Sequence, residues 1–151
     1  MRYFLDCEYN GFRGAILSLA LVPEHGPDEL YLTFECSDAI HPWVEQNVIP
    51  FLDHVPEQLK LQRSGRAEAA AIIAMFIGGD PAPEILADWP TDIELLCALL
   101  TFAPGQMVVL PETAFRLLSL GTFSPAENSK VPHNALHDAR ALRDHVLGLE
   151  P

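Results

Sequence analysis

The stretch Phe4-Leu5-Asp6-Cys7-Glu8-Tyr9 constrains the fold more than any other, because it joins two demands that are hard to meet together. Tyr3 to Leu5 reads as a short apolar strand, and such residues are stable in a strand when they are buried. Alternate strand residues share a face, so Asp6 and Glu8 point together while Cys7 points to the other side. Carboxylates at the end of a buried strand need partners, since burying an unpaired charge is costly. Taken alone, D-x-E also fits two solvated acids at an exposed strand end.

Two later motifs supply further candidates. Thr91-Asp92-Ile93-Glu94 has the S/T-x-x-E pattern of a capping box and predicts a helix to about Phe102, with Asp92 in its first turn. The helix dipole favours an acid there even without a ligand. Asp88, four residues earlier at a strand end, competes for the same role. Asp92 is preferred because Ile93, Leu95, Leu96, Ala98 and Leu99 can anchor its helix in a core.

His133 precedes Asn134, a good N-cap, and so lies just outside the last helix with Asp138 one turn inside. Alone, His133 reads as a surface residue and Asp138 as a partner of Arg140 or Arg143. His137 ranks below His133 because the helix sets its direction. Together, Asp6, Glu8, Asp92, Asp138 and His133 read as a metal site. Magnesium and manganese prefer oxygen ligands, and a pair of these ions can stabilise both the attacking and the leaving oxygen of a phosphoryl transfer. The chemistry expected is phosphodiester hydrolysis.

The remaining pattern fits an α/β domain with a mixed central sheet flanked by helices. Ala15 to Val22 and Glu29 to Phe34 continue from the first strand as a meander. Helices are expected over about Pro42 to His54, broken near Pro50, and over about Ser64 to Ile77, stopped by Gly78-Gly79. Glu84 to Ala87 reads as a strand, Met107 to Leu110 as another, Pro111 to Leu120 as a helix and Gly121 to Pro132 as irregular. Leu136, Ala139, Leu142, Val146 and Leu149 give the last helix an apolar stripe. No linker separates domains, so residues 1–151 are read as one domain.

Net charge limits the partners. With 21 acids against 9 Lys plus Arg, the formal charge of −12 repels a polyanion at long range. A nucleic-acid coat is disfavoured; an enzyme that grips one strand end, with divalent ions offsetting its carboxylates, is not. Cys7, Cys36 and Cys97 form no C-x-x-C pair and read as reduced thiols. They favour a cytoplasmic setting, and the most apolar segment, Ala69 to Ile77, is too short to span a bilayer.

The ordered set of motifs resembles the DEDDh branch of the 3′-to-5′ exonucleases, which share a ribonuclease H-like fold. Phe-Leu-Asp-Cys-Glu-Tyr is similar to the first motif, Thr-Asp-Ile-Glu-Leu-Leu-Cys-Ala-Leu to the second and His-Asn-Ala-Leu-His-Asp-Ala-Arg to the third. Arg2-Tyr3-Phe4, Leu95-Leu96-Cys97 and the His-x-Ala-Leu-x-Asp-Ala-Arg ending narrow the resemblance to the small ribonuclease AS group, which degrades RNA and prefers adenylate-containing strands.

The resemblance implies two divalent ions, Mg2+ or Mn2+. Asp6 would bridge both, Glu8 and Asp138 would complete the nucleophile-side ion, and Asp92 would act largely through water. His133 would be the general base. Single-stranded nucleic acid with a free 3′ end, RNA rather than DNA, is the expected partner, and nucleoside 5′-monophosphates are the expected product. Homodimers are implied as well. A DNA exonuclease and a non-catalytic binding module are the alternatives.

Three features depart from typical members: the short chain, the compact Gly11-Phe12-Arg13-Gly14 turn and the Trp89-Pro90 lead-in to Asp92. Tyr9 and Phe12 can stack on a terminal base, although Tyr9 also reads as a packed strand residue. Arg13, Arg63, Arg66 and Lys130 can reach phosphates but read first as ordinary surface charge.

Overall fold

Alternation along the first strand divides the protein into layers. In this computed structural model, which describes residues 1–60 and 64–148, β1 (Arg2–Tyr9) sends Tyr3, Leu5 and Cys7 into one buried cluster and Phe4 into another. Asp6 and Glu8 follow Phe4 at the period of two. The strand runs through the acids to Tyr9 rather than ending before them.

Strands β2 (Ile16–Pro23) and β3 (Leu30–Thr33) complete the expected antiparallel meander. Then β4 (Glu84–Ala87) returns parallel to the other edge of β1, and β5 (Ala114–Leu117) pairs parallel to β4. The sheet order is therefore β3-β2-β1-β4-β5. Chain order reverses between β1 and β4, the kind of switch point where α/β sheets open a crevice beyond the carboxyl ends of their strands.

Helices cover both faces. Ala69, Ile73 and Ile77 of α2 (Arg66–Ile77) and Leu96, Leu99 and Leu100 of α3 (Pro90–Leu100) pack on the Leu5 side. Ala135, Leu136, Ala139 and Leu142 of α5 (Ala135–Leu147) pack on the Phe4 side. Fully burying each Leu, Ile or Phe contributes about 1.5–3 kcal/mol, which makes these clusters the main source of cohesion. A short α1 (Pro42–Asn47) is followed by a 3-10 turn, Ile49–Phe51, at the break expected near Pro50. Among the described residues, no helix is long and apolar enough to cross a membrane.

The last third differs from the sequence reading in two places. Pro111 to Leu120 is not a helix: its middle forms β5, and Met107 to Leu110 forms no strand. The free edge of buried β4 leaves backbone groups that need partners, and Ala114–Leu117 supplies them, overriding local helix preference. Within the stretch read as irregular, α4 (Pro125–Asn128) makes one turn capped by Ser124. Leu149, the end of the expected apolar stripe, lies outside the described residues, as does Arg63.

Two polar devices fix α5. Asn134 is its N-cap, as expected: the side-chain oxygen accepts from the N–H groups of Leu136 and His137. Its amide donates to the Phe51 carbonyl at 2.8 Å, so the helix start is tied to the turn after α1. Further along, Arg140 grips the Glu29 carboxylate with two donors, and Arg143 approaches it at 3.7 Å.

Asn134 is fully buried. Replacing it with Ala should cost about 1–2 kcal/mol for the lost cap alone, and the stranded Phe51 carbonyl adds to that. At roughly 2–4 °C per kcal/mol for a chain of this size, calorimetry should record a clear drop in Tm. An unchanged midpoint would refute the assignment.

Candidate metal centre

Small residues opposite the first motif leave room for its acids. In the β1–β2 register Asp6 faces Ala20 and Glu8 faces Ser18. The register then slips, so that Tyr9 faces Ile16 and Leu17 has no opposite number. Such irregularities re-aim side chains beside functional sites. Leu17 packs instead with Val44 and Val48 of the α1 region.

Two helix starts deliver the remaining acids. Trp89 is the N-cap of α3 and makes no side-chain cap hydrogen bond, so the capping box read at Thr91 does not form. Pro90 at the first helical position starts the helix instead, its fixed φ being preorganised for it. Asp92 still falls in the first turn, where its main-chain oxygen lies 3.9 Å from the Cys7 thiol. At α5 the capped start places Asp138 in the first turn. Its Oδ2 accepts from the His133 N–H at 3.2 Å.

His133 itself holds φ of 60°, a left-handed conformation uncommon outside glycine. Its ring meets Trp43 edge-to-face at 4.9 Å. His137, by contrast, is engaged on another side, its Nε2 lying 2.9 Å from the His54 carbonyl.

These residues meet in one cleft of about 520 Å3. Asp6, Glu8, Asp92, Asp138 and His133 all line it, so the structure brings together every residue of the expected set. It also settles the competition between Asp88 and Asp92 in favour of neither, since both reach the cleft. Ligand atoms of Asp6, Asp88 and Asp92 lie within 4.8 Å of one another, and those of Glu8, His133 and Asp138 do likewise.

Asp88, ranked below Asp92 from sequence, lines the cleft with it, as do His41, which fits no ligand spacing, Trp89 of the Asp92 lead-in, and Trp43, which sequence reading did not single out. A signal existed for Asp88. The residue stands directly after the strand read over Glu84 to Ala87 and four residues before Asp92.

Burial and mutual repulsion dominate the electrostatics. Burial, then the charges of Asp92, Glu8, Asp138 and Asp88, pushes Asp6 well above the ordinary carboxylate range. Glu8 rises to about 8 through burial and then Asp138 and Asp92. Asp92 rises to about 8 through burial and then Asp88. Asp138 rises to about 7 through burial, although Ser129 and the His133 N–H pull the other way. Burial lowers His133, keeping the imidazole neutral at pH 7.

The donor set fits divalent cations that favour oxygen. Asp6 Oδ2 and Asp138 Oδ1 are buried without a hydrogen-bond partner. Ser129 sits near enough to lower the Asp138 pKa, but its hydroxyl is itself buried without a partner of ordinary hydrogen-bond geometry. Orphaned carboxylate oxygens beside further acids suit Mg2+ or Mn2+ better than any protein donor present.

The mouth of the cleft is aromatic. Gly14 lies so close to the Asn10 carbonyl that a Cβ there would come within 1.9 Å of its oxygen, and the tight turn it permits projects Phe12, 91% exposed, at the rim. Asn10 fastens this turn to the segment before α1, accepting from the His41 N–H at 2.7 Å and donating to the Ala39 carbonyl at 3.0 Å. Tyr9 lines the wall, and exposed Trp43 and Trp89 complete the rim. Of the cations named from sequence, Arg13 stacks on Phe12. Arg66 donates to the Ala98 carbonyl and lines a different cavity, and Lys130 lines a third. Neither a model of a known protein family nor a curated protein sequence matches the chain.

An unfolded carboxyl group titrates near 4, whereas Glu8 and Asp92 titrate at about 8 in the fold. Between these values the native state holds more protons than the unfolded chain, so the metal-free protein loses stability as pH rises. Thermal melts in chelator should show Tm falling from pH 5 to pH 8, less steeply in Asp92→Asn. Added Mn2+ should raise Tm more at pH 8 than at pH 5, because binding must displace those protons.

Proposed function

We propose that the protein is a metal-dependent 3′-to-5′ exoribonuclease acting on single-stranded RNA. The observation that carries this reading is the convergence of two donor trios, Asp6/Asp88/Asp92 and Glu8/His133/Asp138, at the floor of one aromatic-rimmed cleft. The mixed sheet with helices on both faces supports the ribonuclease H-like arrangement implied by the motif resemblance.

The acids of β1, α3 and α5 would hold two divalent ions, Mg2+ or Mn2+. When bound, such ions lower the pKa of water and stabilise both the attacking and the leaving oxygen of an in-line displacement. His133, neutral at pH 7 and held against Trp43, would take the proton of the attacking water. Its ring nitrogen lies within 4.8 Å of the Glu8 and Asp138 oxygens. Phe12, Trp43 and Trp89 would stack on unpaired bases, a contact available to single strands and denied to a stacked duplex. The choice of RNA follows from the resemblance to the small ribonucleases, and the product would be a nucleoside 5′-monophosphate.

End-labelled single-stranded RNA and DNA oligomers test the reading. With Mn2+ or Mg2+ the parent protein should shorten RNA stepwise from the 3′ end, faster than DNA, and chelator or Asp6→Ala should abolish the reaction. Absence of metal-dependent cleavage of either polymer would overturn it. His133→Ala should lower kcat by roughly 10²–10⁴-fold, the usual contribution of a positioned base, while keeping the Mn2+-induced rise in Tm. Loss of that rise would make His133 a ligand instead.

A further inference from the structure

We propose that Asp88 is a direct ligand of the second divalent ion, so that this chain holds both ions before any substrate arrives. The inference rests on the metal-centre reading above and deepens it. In the arrangement that the resemblance implies, Asp6 alone touches the second ion directly, Asp92 acting through water. Magnesium bound by only one or two carboxylates commonly completes its shell with waters and substrate phosphates. A further carboxylate at this position changes that dependence.

The placement of Asp88 follows from the sheet. In the parallel β1–β4 ladder Arg2 faces Glu84, Tyr3 faces Ile85 and Phe4 faces Leu86. That pairing ends at Phe4 and Leu86, and Asp88 lies in the bend directly after β4, where its carboxyl group comes close to those of Asp6 and Asp92. Trp89 then caps α3, whose first turn returns Asp92 to the same point. Ligand atoms of the three acids consequently lie within 4.8 Å of one another.

An orphaned carboxylate oxygen in each trio points to cations in the cleft. Asp6 Oδ2 is buried and receives no hydrogen bond. Asp138, only 2% exposed, likewise has a buried oxygen without a partner. Among the described residues no Lys or Arg lines this cleft to neutralise its five carboxyl groups. Two divalent ions supply four positive charges against those five acids, and Asp88 provides the charge that keeps the second ion in place without a phosphate.

The test is a calorimetric Mn2+ titration of the substrate-free protein, comparing the parent with Asp88→Asn and with Glu94→Gln, an exposed change on α3 outside the cleft. The parent and Glu94→Gln should bind two ions. Asp88→Asn should keep one and weaken the other by more than the roughly 10–100-fold that loss of an outer-shell partner costs. Its metal-free melt at pH 8 should match or exceed the parent's, since one repelling charge is gone, and this confirms that the variant is folded. Two unchanged sites in Asp88→Asn would overturn the assignment of Asp88. A single site in the parent that becomes two only with an oligonucleotide present would overturn retention of the ion before substrate. Both results leave the metal-dependent nuclease intact; no binding by the parent would remove both readings.

Discussion

Five carboxyl groups packed into one cleft set the terms for the rest of the structure. Like charges in a shared, partly dry space raise one another's pKa, so ionising the whole group near neutral pH is costly. The fold holds the acids there nonetheless. Asp6 and Glu8 ride on the central strand, anchored by Phe4 and Leu5, which are buried on opposite faces. Asp92 and Asp138 sit in the first turns of α3 and α5, where the positive end of the helix dipole partly offsets the cost of each charge. The two apolar layers therefore hold in place a set of acids that repel one another.

The same layers anchor the floor and the rim of the cleft in different ways. The floor is built from strands and capped helices, with Asn134 bridging α5 to the turn after α1. The rim is built from the Asn10–Gly14 turn and the start of α1, joined to each other by two Asn10 hydrogen bonds. Trp43, at the start of α1, touches the ring of His133, which sits beside the α5 cap in a left-handed conformation. Rim and floor thus meet at the residue proposed to move the proton. Strain of this kind persists only where surroundings over-determine it, as the Asn134 cap and the Asp138 acceptor do here.

Much of this was legible residue by residue. The meander, the β4 strand and the Asn134 cap followed from apolar, β-prone runs and side-chain chemistry. Thr91 was misread as a cap because the box pattern matched, whereas the helix is capped at Trp89 and starts at Pro90, two residues earlier. The Pro111 to Leu120 segment misled for a different reason. Its local preference was for helix, but the open edge of β4 required a strand, and a window of ten residues contains no information about an edge nearly thirty positions away.

Sequence alone picked out the candidate set that the cleft brings together. Period-two alternation put Asp6 and Glu8 on one face, and the cap residue Asn134 put His133 and Asp138 on either side of a helix start, all through interactions spanning five residues or fewer. Only the tertiary structure decided that Asp88 and Asp92 belong to the cleft together, that Trp43 rests on His133, and that Arg66 and Lys130 lie elsewhere. Those facts depend on the parallel register of β1 with β4 and on the packing of α1 against the β1–β2 turn. Such pairings are set by burial across the whole chain, a long-range balance that no local pattern encodes.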